Sequence, residues 1–583
     1  MSARAAATTL DVMDEARTHR PPWERWAVRG ALALVVVLFS AAVGLVTAHT
    51  QGSFGPHLAD YAVTTDGTVT VDLGPLGTLE VASPLPVGLG AHVTVQEIPS
   101  SFTEVSDAST LESLSGDLQV YVQFFSGPQA TVADVTQGIL LDALRRAVGV
   151  LTAIVVVSWL VRLLLGATRR AEIARALEPH RGHVAVGTVL VLVVVAASTS
   201  SAAPAAPVAD TRALSHVFDG TPLEGARVTG RLGGVIDTYG AKALAAYRTN
   251  QEFYERADAS LVASWDQRAA LEAATVPPRL EPAAPSAPAT APATAPPTGP
   301  GGPPTTTSPT QNPTPTPTTA PEDLVVALVV TDLHCNVGMA RLLTSLAERA
   351  DVDVVLDAGD TTMNGTAVEQ YCVTTFARAV PDGVELVTSP GNHDSAQTSG
   401  EYAAAGARVL DGSVVEVDGL RILGDSDPNE TRVGGGTASL GESLPDTATR
   451  LAETACDNED GVDLLLVHTP EVGETTLDRG CAPAQVSGHL HRRYGPEQIG
   501  LGIRYISSST AGATLGQPTI GPLRGDAELT LLRWDPATRL LVDYRIVTVR
   551  PDASALVGPA VPWPAVRTVP DEVPRVPGGP APV

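Results

Sequence analysis

The stretch LVVALVVTDLH, residues 324–334, is a run of apolar and β-branched residues that ends in Asp332 and His334. Runs of this kind are typical of buried strands. Since α/β sheets place their active sites at the carboxyl ends of such strands, we expect the polar residues to gather at one edge. Three further runs follow the same pattern: VDVVLDAGD at 352–360, VELVTSPGN at 384–392 and VDLLLVH at 462–468.

Five short motifs in this region carry groups that can bind metal ions. Residues two apart in a strand point to the same face, so Asp332 and His334, and likewise His489 and His491, are predicted to aim at one point. Carboxylate, imidazole and carboxamide groups without thiolate suit divalent ions such as Mn, Fe or Zn, and we expect Asp360 to bridge two of them. The motifs are Asp332-Leu333-His334, Gly359-Asp360, Gly391-Asn392-His393-Asp394, His468 and Gly488-His489-Leu490-His491.

In this order, the motifs resemble the DxH, GD, GNH[DE], H and GHxH pattern of the calcineurin-like metallophosphoesterase superfamily. The resemblance implies that His393, oriented by Asp394, is the acid that meets the leaving group. It also implies two metal sites that share one aspartate. One ion would be held by Asp332, His334, Asp360 and His491, and the other by Asp360, Asn392, His468 and His489.

The motifs alternate with helical patterns such as GMARLLTSLAERA and end in a hairpin-like segment, within a predicted catalytic domain at 322–550. This alternation predicts an α/β fold of two mixed sheets with helices outside, and the resemblance implies the same four-layer αββα sandwich. The loop at 423–436 is a candidate substrate lid. Asn364 and Asn336 are candidate phosphate contacts, with loop-capping amides as the alternative interpretation.

The implied chemistry is hydrolysis by two metal ions. A pair of ions about 3.5 to 4 Å apart activates a bridging water and neutralises charge on phosphoryl oxygens. An imidazole with a carboxylate neighbour can protonate the leaving group near neutral pH, which is the role expected of His393. The expected substrates are phosphomono- or diesters that are lipid-, glycan- or nucleotide-linked. The alternative is a non-catalytic envelope scaffold or sensor that keeps the fold for metal binding.

Three apolar segments, at 30–48, 147–166 and 184–203, are each near the roughly 20 residues that a bilayer core requires. They lack the polar face of a soluble helix, which favours membrane spans over buried core helices. An alternative interpretation of the first segment is a cleaved signal sequence, with its cleavage site near Val46-Thr47-Ala48. The third segment is the weakest of the three predicted spans because its apolar run continues without a sharp boundary into STSSAAPAAP at 198–207.

Arginines cluster before the first segment and in the 167–183 loop, where Arg169 and Arg170 lie. The positive-inside rule therefore places residues 1–29 and 167–183 in the cytoplasm. The remaining parts are predicted to be extracytoplasmic, in a multi-pass protein of the cell membrane. They are a β-rich module at 50–145, a helical segment at 204–275, a Pro/Thr-rich linker at 276–321 that acts as a spacer, the catalytic domain, and a Pro-rich tail at 551–583 without a fold of its own.

All four cysteines lie in the catalytic segment, an even number that fits two disulfides in an oxidising compartment. Four cysteines allow three pairings, and we expect Cys335 with Cys372 and Cys456 with Cys481 because the loops they would occupy are close. One alternative is four free thiols in a cytosolic protein. Another makes Cys335 a metal ligand, although its side chain should point away from Asp332 and His334.

The formal net charge of −26 argues against nucleic acid as a tight partner, because phosphate binding relies on clustered cations. Bound metal ions could still attract a phosphoryl group locally. The sequence leaves open the natural substrate, the preference for mono- or diesters, the native metals and the oligomeric state.

Overall fold

A computed structural model describes residues 22–54, 57–74, 77–96, 128–177, 213–214, 225–229, 241–275, 323–433, 435–514 and 522–567. The chain divides into two compact units. The first, here called the amino-terminal unit, comprises Met1–Arg248 with Ala367–Thr374. The second, the catalytic unit, comprises Thr249–Thr366 with Thr375–Val583.

The amino-terminal unit contains the helices α1 (Pro22–Val46), α2 (Pro128–Leu164) and α3 (Gly166–Leu177). By length and composition, α1 from Arg29 and α2 from Thr131 could each cross a membrane. Large apolar side chains on both helices are exposed. The predicted third span at 184–203 lies outside the described residues.

Small residues allow α1 and α2 to approach closely. At Gly44 the backbone of α1 lies against Ala143 and Ala147 of α2, and a side chain at Gly44 would collide with both. Close approach at small residues is a common way for apolar helices to pack in membranes. Beside this contact, the Asp142 carboxylate accepts a hydrogen bond from the His49 main-chain N–H at 3.0 Å and pairs with Arg146.

The β-rich part of this unit is one seven-stranded sheet in the order β1-β2-β5-β3-β4-β7-β6. Tyr61 and Val93 of the sheet pack against Val135 and Ile139 of α2. The two last strands come from the region after the predicted third span, where the sequence suggested only a helical segment. The strands are β1 His49–Phe54, β2 His57–Thr64, β3 Thr68–Asp72, β4 Thr78–Ala82, β5 Gly90–Val95, β6 Ala213–Leu214 and β7 Arg227–Val228.

The strands of the catalytic unit form two large mixed sheets and one hairpin. In chain order they are β8 Val325–Val330, β9 Val354–Asp357, β10 Glu385–Thr388, β11 Arg408–Val409, β12 Val414–Val417, β13 Leu420–Leu423, β14 Asn429–Arg432, β15 Gly436–Ser439, β16 Leu464–Leu466, β17 Ala484–Ser487, β18 Tyr494–Ile499, β19 Gly502–Ile506, β20 Ala527–Asp535, β21 Leu540–Val549, β22 Ala555–Val557 and β23 Val561–Pro562.

The first sheet has the order β11-β10-β9-β8-β20-β21-β22, with β23 also paired to β21. Strands β8 to β11 are parallel, whereas β20 to β23 pair antiparallel. The second sheet has the order β12-β13-β16-β17-β19-β18, with antiparallel strands at its two edges. Side chains from both sheets, such as Val329, Leu356, Leu466 and Val486, share one buried core. This mixed α/β architecture agrees with the predicted fold class.

Except for the first, which precedes β8, the helices lie in the connections between these strands. Helix α8 packs Leu451 and Ala455 on Leu465 and Val467, on the other side of the second sheet. Ser443 caps α8, because its hydroxyl accepts a hydrogen bond from the Asp446 N–H at 3.3 Å. The helices are α4 Ala241–Thr275, α5 Met339–Arg349, α6 Gln370–Ala379, α7 Ala396–Ala404, α8 Leu444–Asp457 and α9 Glu474–Arg479.

The catalytic unit extends beyond the predicted domain at both ends. Helix α4 belongs to it from Thr249 onward, whereas the sequence favoured packing on the β-rich module or on a partner. The predicted Pro/Thr-rich linker at 276–321 lies outside the described residues. At the other end β22 and β23 extend the first sheet, and Trp563 packs on its core, where a tail without a fold was expected.

The cysteines are oxidised. Cys456 at the end of α8 forms a disulfide with Cys481, which follows α9, and this pair confirms the prediction. Cys335 and Cys372 are also disulfide-bonded, and none of the four cysteines is free. The alternatives of free thiols and of Cys335 as a metal ligand are therefore wrong.

Candidate metal centre

Each predicted ligand follows the carboxyl end of a strand within a few residues. Asp332 comes two residues after β8, Asp360 three after β9, and Asn392 four after β10. His468 comes two residues after β16, and His489 two after β17. The first three strands belong to one sheet and the last two to the other, so the ligands gather where the strand ends of the two packed sheets meet.

The backbone brings these side chains together by a route that the sequence interpretation did not predict. Strands β8 and β17 end before the ligands begin, so alternation along a strand does not aim them. Instead the backbone turns through positive φ, which costs roughly 1 kcal/mol or more at each non-glycine residue. Such conformations cluster at functional sites. The five ligands with positive φ are Asp332 (51°), His334 (42°), Asp360 (58°), His489 (71°) and His491 (51°).

One group of donors comprises Asp332, His334, Asp360 and His491. The Oδ1 atom of Asp332 lies 3.3 Å from Nε2 of His491, and Nε2 of His334 lies 3.0 Å from the same nitrogen. His334 Nε2 is 3.8 Å from Oδ2 of Asp360. These atoms point at a common centre. This is the arrangement predicted for the first metal site.

A second group comprises Asp360, His468 and His489. Oδ2 of Asp360 lies 3.2 Å from Nε2 of His468. The carboxamide oxygen of Asn392 lies 3.0 Å from that nitrogen and 2.9 Å from Nδ1 of His489. Asn392 therefore completes the second predicted set.

Asp360 is shared by both groups through a single oxygen. Its other oxygen, Oδ1, accepts a hydrogen bond from the His393 main-chain N–H at 2.8 Å. This bond fixes the carboxylate so that Oδ2 faces both groups. A side chain at Gly391 would collide with this carboxylate, which gives a physical reason for the glycine in that motif.

Main-chain carbonyls set the tautomers of two of the histidine ligands. Nδ1 of His334 lies 3.3 Å from the Thr362 carbonyl, and Nδ1 of His468 lies 2.7 Å from the Ala358 carbonyl. A carbonyl can only accept, so each Nδ1 must carry a proton and Nε2 is left as the donor atom toward the site. His489 differs, since it presents Nδ1 to Asn392.

Burial and charge oppose each other in setting the ionisation of these groups. Burial alone would raise the pKa of Asp360, but His468 and His334 outweigh it and lower the pKa, so this carboxyl is ionised. Burial lowers the pKa of His334 to about 4 and, with the charge of His468, lowers the pKa of His489. Although burial would lower the pKa of His468, Asp360 raises it well above its usual value. Protons and a divalent cation therefore compete for His468.

The donor set fits two divalent cations. Oxygen and imidazole donors without thiolate suit Mn, Fe or Zn. Oδ1 of Asp332 is buried and accepts no hydrogen bond within the described part of the chain, a costly arrangement that a cation beside it would relieve. The two groups share Asp360, as a dinuclear centre requires.

His393 lies beside the first group, with its ring centroid 5.1 Å from that of His334. Its imidazole is oriented by the Met363 carbonyl, which accepts from Nδ1 at 2.7 Å. Asp394 does not take this role, in contrast to the sequence interpretation. Its carboxylate accepts instead from the main-chain N–H groups of Asp360 and Gly391, each at 2.9 Å, and so ties two ligand loops together.

The predicted lid at 423–436 includes strand β14 of the β14–β15 hairpin, and this strand is bonded to the loop carrying Asn392 and His393. The Thr431 N–H donates to the Asn392 carbonyl at 2.7 Å. The Arg432 guanidinium donates to the carbonyls of Asn392 at 3.3 Å, His393 at 3.4 Å and Asp394 at 3.1 Å. Sequence interpretation missed Arg432, because only the folded hairpin brings it to the site.

The two candidate phosphate contacts have partners of their own. The side-chain oxygen of Asn364 accepts from the Val433 N–H at 2.8 Å, and that of Asn336 accepts from the Tyr254 hydroxyl at 2.7 Å. The alternative interpretation, in which these amides stabilise loops, is therefore the one these contacts favour.

The chain resembles one family of known proteins in sequence and several solved structures. Residues 326–493 match the family model of the calcineurin-like phosphoesterases. Similar solved structures include an archaeal phosphodiesterase (13% identity, 39% of this chain and 100% of that one, TM-score 0.25). They also include a phosphatase of Mycoplasma pneumoniae (12% identity, 39% of this chain and 94% of that one, TM-score 0.26). A third is a dimetal phosphatase of Danio rerio (12% identity, 40% of this chain and 98% of that one, TM-score 0.25). No curated protein sequence matches the chain.

Proposed function

Because residues 326–493 form a calcineurin-like phosphoesterase domain, we propose that the protein is a dinuclear-metal-dependent hydrolase of phosphomono- or diesters. The observation that carries the proposal is the single Asp360 oxygen, Oδ2, that faces both donor groups. A scaffold that only bound metal would not need a further imidazole beside the two donor groups. His393 is such an imidazole. Its Nδ1 is bonded to the Met363 carbonyl, and its Nε2 lies on the opposite side of the ring from that bond.

The proposed mechanism assigns a task to each part of the site. Two bound divalent ions would supply an activated water and neutralise charge on the phosphoryl oxygens. Asp332, His334, Asp360 and His491 hold one position, and Asp360, Asn392, His468 and His489 the other. The Met363 carbonyl, by accepting from Nδ1 of His393, orients the imidazole so that a proton on Nε2 could pass to the departing oxygen.

The test is hydrolysis by the full chain, purified in detergent and supplied with Mn²⁺. The fragment 322–550 would be a poor choice, because α4 and β22 pack within the same unit. p-Nitrophenyl phosphate and bis(p-nitrophenyl) phosphate separate monoesterase from diesterase activity. Turnover that requires metal supports the proposal. No turnover with Mn²⁺, Fe²⁺ or Zn²⁺ would favour the scaffold or sensor.

We also propose that the protein is anchored in the cell membrane with the catalytic unit outside the cytoplasm. Strand β4 pairs with β7 through Leu79 and Val228, and hydrogen-bonded strands must lie on the same side of a bilayer. If α2 crosses the bilayer, the chain must return between Leu177 and Ala213. The apolar 184–203 segment lies there in the sequence. The arginines at 167–183 favour a cytoplasmic position for that turn, and the Cys456–Cys481 disulfide fits an oxidising exterior.

Reporter fusions test this topology. An alkaline phosphatase domain at the carboxyl terminus should be active, whereas the same domain fused after Leu177 should not. Active reporter at Leu177 and inactive reporter at the carboxyl terminus would reverse the proposed orientation. The membrane position also leads us to propose lipid-, glycan- or nucleotide-linked phosphoesters of the envelope as the substrate pool.

A further inference from the structure

Helix α4 packs along the catalytic unit although it precedes the linker. Phe253, Ala257 and Leu261, spaced four residues apart, are almost fully buried. Polar side chains on the helix satisfy the outer edge of β22, which would otherwise expose unpaired main-chain groups. Ser260 Oγ accepts from the Ala555 N–H at 2.8 Å, and Arg268 Nε donates to the Val557 carbonyl at 3.0 Å.

Tyr254 lies on the buried face of α4 and extends to the segment that follows Asp332 and His334. Its hydroxyl donates to the side-chain oxygen of Asn336 at 2.7 Å, and both residues are buried. Burial raises the pKa of Tyr254, so the hydroxyl keeps its proton and remains a donor. The ring lies against Gly338, where any side chain would collide with it.

Asn336 in turn closes the loop that carries Asp332 and His334. Its main-chain N–H donates to the Leu333 carbonyl at 2.8 Å, and its carbonyl accepts from the Met339 N–H at 3.0 Å, at the start of α5. The loop contains three non-glycine residues with positive φ, namely Asp332, His334 and Cys335. Positive φ at such residues persists only where surrounding contacts hold it.

We propose that Tyr254 is a positioning residue, which acts through Asn336 to hold Asp332 and His334 in the geometry that binds the first metal ion. The helix upstream of the linker thus completes the metal centre. This inference rests on the proposed dinuclear site, but it concerns metal binding and not turnover.

The test is Mn²⁺ binding to the full chain in detergent, measured by the electron paramagnetic resonance signal of free Mn²⁺. Tyr254→Phe removes only the hydroxyl and keeps the packing of the ring. Loss of a group that orients a metal ligand weakens metal binding about 10- to 100-fold. We expect that loss for one of the two ions, with the other unchanged.

Ser260→Ala is the matched control. It removes one hydrogen bond between the same helix and the same unit, but at the β22 edge, through Ala555. It should bind both ions as the wild type does, with a decrease in melting temperature similar to that of Tyr254→Phe. Asn336→Ala removes the acceptor of the Tyr254 hydrogen bond. It should weaken the binding of the same ion as Tyr254→Phe does.

Two results would overturn the inference. One is unchanged Mn²⁺ affinity in Tyr254→Phe, and the other is equal weakening in Tyr254→Phe and Ser260→Ala, which would reduce Tyr254 to a packing role. A chain that binds two Mn²⁺ ions but hydrolyses no ester would leave this inference standing while removing the proposed function.

Discussion

The carboxylate oxygen Oδ2 of Asp360 lies 3.2 Å from Nε2 of His468, and the same oxygen faces His334 at 3.8 Å. Asp360 comes from the first sheet and His468 from the second. One buried oxygen thus joins the two halves of the sandwich at the metal centre. The predictions below start from this relationship.

Asp360→Asn should abolish dinuclear binding. The amide keeps the shape of the carboxylate but lacks the charge that draws two cations to one oxygen, so we expect activity to fall more than about 100-fold. Metal analysis after gel filtration should show less than two ions per chain. Asp382→Asn, at an exposed turn, is the control. Retained activity with two bound ions would refute the bridging role.

His393→Ala should reveal the proton donor through the leaving group. An alkoxide needs a proton to depart, so hydrolysis of an alkyl phosphate should slow about 100- to 10,000-fold. p-Nitrophenolate is a stable anion, and its ester should lose much less. The measurement is kcat for both esters with one enzyme preparation. An equal loss on both would contradict the assignment of His393 as the acid.

Arg432→Lys should displace the loop that carries Asn392 and His393. The planar guanidinium reaches three carbonyls at once, which a single ammonium cannot do. A small displacement of catalytic groups lowers kcat, here by roughly 10- to 100-fold, with a smaller effect on KM. Arg408→Lys, at an exposed pair with Glu385, is the matched control. A kcat equal to that of the control would rule out this role for the hairpin.

Asp357 should make stability depend on pH. Burial, with the nearby charge of Asp394, raises the pKa of Asp357 to about 6, from 3.8. Between pH 3.8 and about 6, the folded state keeps a proton on Asp357 that the unfolded state has released. The contribution of this proton to folding stability is therefore complete below pH 4 and is lost as pH rises through 6. That loss is about 3 kcal/mol.

Asp357→Asn cannot titrate, so the variant should gain about this much stability relative to the wild type between pH 4 and pH 6.5. Urea unfolding of both proteins across this range measures the difference, in which the other titrating groups cancel. A difference that stays constant with pH would show that Asp357 is ionised throughout.

The Cys456–Cys481 disulfide should stabilise the catalytic unit. It closes a loop of 25 residues, for which chain entropy predicts about 3 kcal/mol. The double variant Cys456→Ser, Cys481→Ser should therefore melt at a lower temperature. A reductant should lower the melting temperature of the wild type more than that of the variant. If the reductant lowers both melting temperatures equally, the other two cysteines, and not this pair, would account for the stabilisation.

The amino-acid sequence by itself determined the position of every predicted ligand along the chain. Buried strands require continuous apolar runs, and a polar group at the end of such a run is visible as a change of composition. The sequence likewise predicted the pairing of Cys456 with Cys481 and the family that residues 326–493 match.

Only the tertiary structure decided how the ligands converge and what holds them. Left-handed backbone at Asp332 and His489, and not strand alternation, directs these side chains, because strands β8 and β17 end before them. Contacts between distant segments, such as Tyr254 with Asn336 and Arg432 with the His393 carbonyl, leave no periodic trace in a sequence. They exist only once hydrophobic packing has brought the helix, the hairpin and the ligand loops together.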